Sequence, residues 1–426
     1  MREREAPESV ETVPLSVAQR RFWAAAEPSP GSPVHHLAVE VRLPGAVDER
    51  VVRSALGVLA ARHGPLRTTV SPDGGGAPVQ WVHRRLPLQL RVVELGMIPE
   101  RDRPGLAGRS AADAARRPFD LAAGPLWRAL LLRSPTRGRL HLVAHRLVFD
   151  EHSAAVLRAE LLEGVTAALA GRAARLPELP LRYADFALRQ QDAAERTTGP
   201  ARTPDVAPLP YDRPHPGAAD PRGARREFAL PGGAAEVRRA ARRAGVAPEL
   251  VLLAAFAALL HRWGGGTDLL IGVPEAGRPP ELRGLIGCFG TVRPLRVRIP
   301  ADASGGRLLA GVRAAEAQAL ARRGDGPGPL PGVPSVQAVF GPSAGDASGP
   351  PSPRRSAGDG HREGAARCDL ALVLEERGGD YLGRFEYRTA LFDPGTIDRL
   401  LLHWRALLPA LLADPDRPLG ELPGPR

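Results

Sequence analysis

The chain has 426 residues, 43% of them apolar, enough to bury two cores of ordinary domain size. Its formal charge is +11, yet all 58 strongly basic residues are arginines scattered along the length, asparagine and lysine are absent and aromatics make up 4%. That is the composition of a GC-rich coding sequence, without the basic stripe and stacking residues of a nucleic-acid binder.

Only two cysteines occur, Cys288 and Cys368, too few for a disulfide framework and without thiolate metal-site spacing. The amino terminus "MREREAPESVETVPL" has no apolar signal region, and no later apolar run reaches the roughly 18 residues that a membrane span needs. A cytoplasmic monomer is expected, with no metal and no cofactor of its own.

In chain order, "PLSVAQRRFWAA" carries a capping box in which Ser16 starts a helix and Gln19 returns the hydrogen bond. "HHLAVEVRL" alternates as a strand, and "VDERVVRSALGVLAARHG" has helical spacing up to Gly64. "PLRTTV" and "PVQWVH" read as paired strands around "SPDGGG"; "RSAADAARRPFDL" is a helix stopped by Pro118. The strands "PLWRALLLR" and "RLHLVAHRLVF" flank the turn "SPTRG". Next comes a knot of ionisable groups, His145, Arg146, Asp150, Glu151 and His152, and then Ser153, read as the cap of the amphipathic helix "AAVLRAELLEGVTAALAG". The knot therefore falls in a strand-to-helix loop, a place where side chains can converge on a substrate.

From 176 to 216 the chain is rich in breaks around the helical island "RYADFALRQQ", which marks a crossing between two lobes. Beyond it come the helices "GAAEVRRAARRAG" and "PELVLLAAFAALLHRW" and the strands "DLLIGVP" and "TVRPLRVRI". Residues 324–366 are rich in Gly, Pro and Ser around the short strand "SVQAVF", and the longer stretch, 341–366, is expected to be mobile. The strands "CDLALVLEE" and "YLGRFEYR" and the helix "PGTIDRLLLHWRALLPALLA" close the chain. Alternating strands and helices in both halves argue for α/β layering twice over.

"PLSVAQRRFW", "RHGPLRTTV", "FDLAAGPLWRALLLR", "HRLVFDEHS", "RYADFALRQ", "LPYDRPHP", "GVPEAGRPPELRGLIGCFG" and "LFDPGTIDRLLLHW" occur in the order and spacing of the condensation domains of nonribosomal peptide synthetases. The chain resembles that family over nearly its whole length. The resemblance implies two chloramphenicol-acetyltransferase-like lobes, 1–175 and 217–426, in a V-shaped pseudo-dimer with a tunnel between them. Phosphopantetheine arms of partner carrier proteins, from a peptide or polyketide assembly line, would enter that tunnel, and the activity would be acyl transfer forming an amide or an ester.

The family loop reads HHxxxDG, with the second His receiving or positioning the proton of the nucleophile. Matching positions here are His145, Arg146, Asp150 and, in place of Gly, Glu151. A guanidinium has no acceptor lone pair and stays protonated, so Arg146 cannot be a general base, although it can donate to an oxyanion or plug a tunnel by pairing with Asp150 or Glu151. His152 is the substitute base that the spacing offers; His145 reads as a buried, hydrogen-bonded core residue. Arg278 in "EAGRPPE" matches the family arginine that pairs with the loop Asp, implying an ion pair between Asp150 and Arg278 that locks the lobes.

Ser153, Thr291 and Arg293 match tunnel-lining positions, and "IGCFGTVRPLR" departs from the usual "IGxFVNTxPLR". "GDGPGPLPGVPSVQAVF" likewise lacks the His-containing acceptor-side motif of the family. The HRxxxD form resembles the X-type domains of glycopeptide assembly lines, which lack condensation activity and recruit haem monooxygenases. Two readings follow, a condensation enzyme with altered chemistry and a binding platform. The chain starts with Met and ends soon after its last helix, with no adenylation domain and no carrier-protein serine motif, so its partner is expected to act in trans.

Overall fold

Ser16 starts the first helix as its spacing predicts: its hydroxyl accepts from Gln19 N at 3.1 Å, and Gln19 Oε1 accepts from Ser16 N at 2.9 Å. The structure, a computed structural model, describes residues 10–27, 31–196, 206, 208–215, 222–275, 277–321, 336, 338–342, 361–366 and 368–423. They form two α/β units, the first from the described residues up to 196 together with 277–291, the second from the other described residues.

The first unit holds β1 (Glu11–Pro14), α1 (Val17–Ala26), β2 (His36–Arg42), α2 (Glu49–Arg62), β3 (Thr68–Pro72), β4 (Pro78–Val82), β5 (Leu90–Glu94), α3 (Arg103–Arg116), β6 (Trp127–Arg133), β7 (Gly138–His145), α4 (Glu151–Leu169) and α5 (Tyr183–Arg196). Its larger sheet runs β2-β7-β6-β5, antiparallel except for the parallel β5/β6 edge, and a smaller sheet runs β1-β4-β3. Apolar residues of β2, β6, β7, α2 and α4 close the core, including Leu56, Leu131, Leu142, Leu157 and Leu161. The turn between β3 and β4 is set by Asp73, whose Oδ1 accepts from Gly75 N and Ala77 N, both at 2.9 Å.

The second unit holds β8 (Arg222–Leu230), α6 (Gly233–Ala244), α7 (Pro248–Leu260), β9 (Asp268–Glu275), β10 (Thr291–Arg298), α8 (Gly305–Ala321), β11 (Ala338–Pro342), β12 (His361–Ala365), β13 (Leu370–Arg377), β14 (Asp380–Arg388) and α9 (Pro394–Ala413). Its sheet runs β10-β9-β11-β13-β14-β8-β12. Leu250 to Leu260 of α7 are all buried, which is why that helix is apolar all round. Trp404 of α9 and Phe385 of β14 share its core.

Several expectations change. The α2 helix stops at Arg62 rather than running to Gly64, because Gly64 precedes Pro65 and the chain tightens into a 3-10 turn over Gly64–Arg67. β1, β5 and β8 are strands that the sequence pattern does not announce. The α3 helix begins at Arg103, with Pro104 in its first turn, where a missing N–H costs nothing.

Residues 361–365, inside the stretch expected to be mobile, pair with β8 as strand β12; 343–360 lie outside the described residues. The expected division at 175 and 216 also meets two differences. Helix α5 joins the first unit because Tyr183, Phe186 and Ala187 bury there, and 276–291 joins it through Leu282, Leu285, Ile286, Cys288 and Phe289.

Candidate functional site

β7 ends at His145, paired in register with His36 of β2. The chain then turns tightly: Val148 N donates to His145 O at 3.0 Å, and Leu147, Val148 and Phe149 all go into the core. Two distant segments pin this turn. Arg146 N donates to His35 O at 2.8 Å, and Gln19 Nε2 donates to Leu147 O at 2.9 Å.

Asp150 sits at the end of the turn and caps α4, its Oδ1 accepting from Ser153 N at 2.7 Å. The cap assigned to Ser153 therefore belongs to Asp150. Both residue types cap helices, but the chain is already helical from Glu151, which leaves Ser153 at the third helical position. Ser153 is wholly buried; its hydroxyl donates to Asp150 Oδ1 at 2.7 Å and accepts from Gly287 N at 3.0 Å. A side chain at Gly287 would bring its Cβ to 2.4 Å from the Tyr183 ring, so only glycine lets this backbone N–H approach.

The Asp150 carboxylate is saturated. Arg278 Nη2 lies 2.9 Å from both of its oxygens, and Phe289 N donates to Oδ2 at 3.2 Å. Arg278 Nη1 donates to the carbonyls of Leu282 and Leu285, and its guanidinium stacks 3.8 Å from the Phe289 centroid. Burial lowers the Arg278 pKa and the Asp150 charge raises it, with burial the larger effect. The expected ion pair between Asp150 and Arg278 is present, and it ties the loop to the 276–291 segment within the first unit.

His145 is buried as expected. Leu147 N donates to its Nδ1 at 3.2 Å, which leaves the proton of the neutral ring on Nε2. Burial holds its pKa well below the usual imidazole value, helped by His35, His36 and the Arg146 cation. The rings of His35, His36 and Phe119 surround it with centroids at 5.9, 6.0 and 6.2 Å.

Arg146 is 6% exposed. Its Nη2 forms an ion pair with Glu151, its Cζ lies 5.9 Å from the Phe22 centroid, and its Nε is buried without a partner among the described residues. A cation thus stands, neutralised by its own loop, at the second position of the motif. Phe22 and His35 beside it come from segments far away in sequence, which is why the motif alone does not reveal them.

His152 lies on the exposed side of α4, its Nε2 2.9 Å from Arg283 O. Thr291 is half-buried at the start of β10. Arg293 pairs with Glu275 and lies 3.7 Å from Glu316, so its charge is met within the second unit. Neither Cys288 nor Cys368 forms a disulfide among the described residues, and among them no group of His, Cys, Asp and Glu could hold a metal. Burial raises the Cys288 pKa well above the usual thiol value, which keeps that sulfur protonated and inert.

Two α/β units and a buried HRxxxD loop at a strand-to-helix junction define the chloramphenicol-acetyltransferase-like class. The family model described as "Condensation domain" matches residues 9–326, and the chain belongs to that family, the condensation-domain proteins of nonribosomal peptide synthesis. It is 41% identical to the phosphinothricin tripeptide synthetase PhsC of Streptomyces viridochromogenes over 98% of its length, and 33% identical to the chondramide synthase cmdD of Chondromyces crocatus over 97%. It spans 41% of the first relative and 11% of the second.

Among solved structures, the X-domain from teicoplanin biosynthesis matches with a TM-score of 0.80 and 28% identity, covering 98% of this chain and 99% of that one. The complex of the X-domain and OxyB matches with a TM-score of 0.79 and 28% identity, covering 99% of this chain and 98% of that one. Among the described residues no single helix is long and apolar enough to cross a membrane.

Proposed function

We propose that this chain engages acyl or peptidyl thioesters carried on the phosphopantetheine arm of a partner carrier protein, and that conventional amide-forming condensation at its HRxxxD loop is impaired. The observation that carries this reading is Arg146, buried and ion-paired with Glu151 where the family has its proton-handling histidine. A guanidinium offers no lone pair to an incoming amine, and a lost general base costs about 100- to 10,000-fold in rate. Against His152 as the substitute base stands its place on the exposed side of α4, where its Nε2 bonds the Arg283 carbonyl.

The likeness to the teicoplanin X-domain, one structure of which holds OxyB, favours a second reading: a platform that recruits a haem monooxygenase to the carrier-bound substrate. A third reading, an active enzyme with altered chemistry, would use the Arg146 donors on a developing oxyanion.

The test combines the protein with an acyl-loaded carrier and amine or hydroxyl acceptors, and measures product together with carrier binding by titration. Carrier binding without product supports the proposal. Product at the rate of an ordinary condensation domain overturns it, and saturable binding of a haem monooxygenase selects the platform.

A further inference from the structure

The first unit contains a cavity that plays no part in the loop described above. It has a volume of about 330 Å3 and is walled by the 64–67 turn, β4 and the start of α5, with Leu285 at one side. A shallower depression of about 390 Å3 shares Glu11, Arg67, Val82 and Arg182 with it and adds the exposed Arg84. Volumes of this order suit small ligands.

The walls combine apolar surface with cations. Pro65, Val82, Leu179, Leu181 and Leu285 supply the first; Arg62, Arg67 and Arg182 the second. Two of the three guanidiniums are already matched. Arg62 donates to Glu160 Oε1 at 3.2 Å and to Pro177 O, and Arg182 is held between Glu11 at 2.8 Å and Asp185 at 2.6 Å.

Arg67 differs. Its Nη1 donates to His83 O, its Nε is buried with no partner, and it makes no ion pair among the described residues. Burial lowers its pKa, an effect that Glu11 offsets in part and Arg182 adds to. Arg67 is half-buried and feels Glu11 without an ion pair to it, so an anion that enters the cavity would find guanidinium donors not yet matched by a carboxylate. Guanidinium also presents a planar fork that fits a carboxylate.

We propose that this cavity binds a small organic carboxylate, with its oxygens on the Arg67 guanidinium and its apolar body against Val82, Leu179 and Leu285. The site adjoins the segment that serves the HRxxxD loop: Leu285 precedes Ile286, whose N–H donates to His63, and Gly287, whose N–H donates to Ser153.

Calorimetric titration of the full chain with 3-phenylpropionate, 3-phenylpropionamide and inorganic phosphate tests the proposal. The acid should bind at one site, at least tenfold tighter than the amide and tighter than phosphate. Arg67→Met should weaken it at least tenfold, as should Val82→Trp, which fills the cavity without touching the cation. Arg84→Met, on the outer depression only, should change it less than threefold. Equal binding of acid and amide, phosphate as the tighter ligand, or undiminished binding by Val82→Trp or by folded Arg67→Met would overturn the assignment. Circular dichroism checks that each variant is folded, and Val82→Trp decides if Arg67→Met is not.

Discussion

Arg278 places one nitrogen, Nη2, 2.9 Å from each carboxylate oxygen of Asp150, with side-chain exposures of only 2% and 8%. The same carboxylate caps α4 and accepts from Phe289 N, so one buried charge organises loop, helix and the 276–291 segment. Removing one partner of a buried pair costs about 3–5 kcal/mol, because the other charge is left unmatched. Arg278→Met should lower the unfolding free energy by about that amount in urea titration. The double variant Arg278→Met with Asp150→Asn should lose less than the sum of the two single losses.

Tyr183 ties α5 to the same segment. Its hydroxyl donates to Cys288 O at 2.5 Å and lies 2.8 Å from Ser16 Oγ, and burial raises its pKa well above the usual phenol value, so it remains a donor. Tyr183→Phe keeps the ring but leaves a buried carbonyl unmatched, at a cost of about 1–3 kcal/mol. Denaturant unfolding should show this loss. A variant as stable as the native chain would mean that the hydroxyl contributes nothing.

His145 predicts a pH dependence. Its folded-state pKa lies well below the unfolded value of about 6.5, chiefly through burial, so the unfolded chain binds the proton more tightly. Its contribution to stability is complete above about pH 6.5 and is lost as pH falls from there toward the folded pKa. His145→Phe should therefore flatten the slope of unfolding free energy against pH just below 6.5. In the native chain, imidazole nitrogen shifts at pH 6 should report a neutral ring with its proton on Nε2, since Nδ1 accepts from Leu147 N. A charged ring at that pH would contradict the structure.

Much of this is legible in the sequence because it depends on local pattern. The Ser16/Gln19 capping box, the hairpin around Asp73 and the buried His145 follow from side-chain types at fixed spacing. Spacing narrows the partner of Arg146 to Asp150 or Glu151, and the structure selects Glu151 because Asp150 is already taken by Arg278. Spacing also puts the cap of α4 three residues late, since Asp150 and Ser153 are equally good caps and only tertiary contacts separate them. β8 is hidden because "ARREFAL" carries three charges that mask its alternation. That 276–291 belongs with the first unit rests on contacts far apart in sequence, which no local pattern records.

The Arg146–Glu151 pair makes a further claim about chemistry. An imidazole introduced at position 146 alone would sit against the Glu151 carboxylate, which raises its pKa and keeps it protonated near neutrality. Arg146→His with Glu151→Gly should therefore outperform Arg146→His by about tenfold at pH 7, and the gap should narrow toward pH 9, where both imidazoles are neutral.

The most direct measurement is the rate of amide formation from an acyl-loaded carrier and an amine acceptor, compared between the native chain and the Arg146→His/Glu151→Gly variant. The variant should be at least about 100-fold faster, the lower end of what a general base contributes. A native chain that matches or exceeds the variant would contradict it, because Arg146 would then be part of a working catalyst.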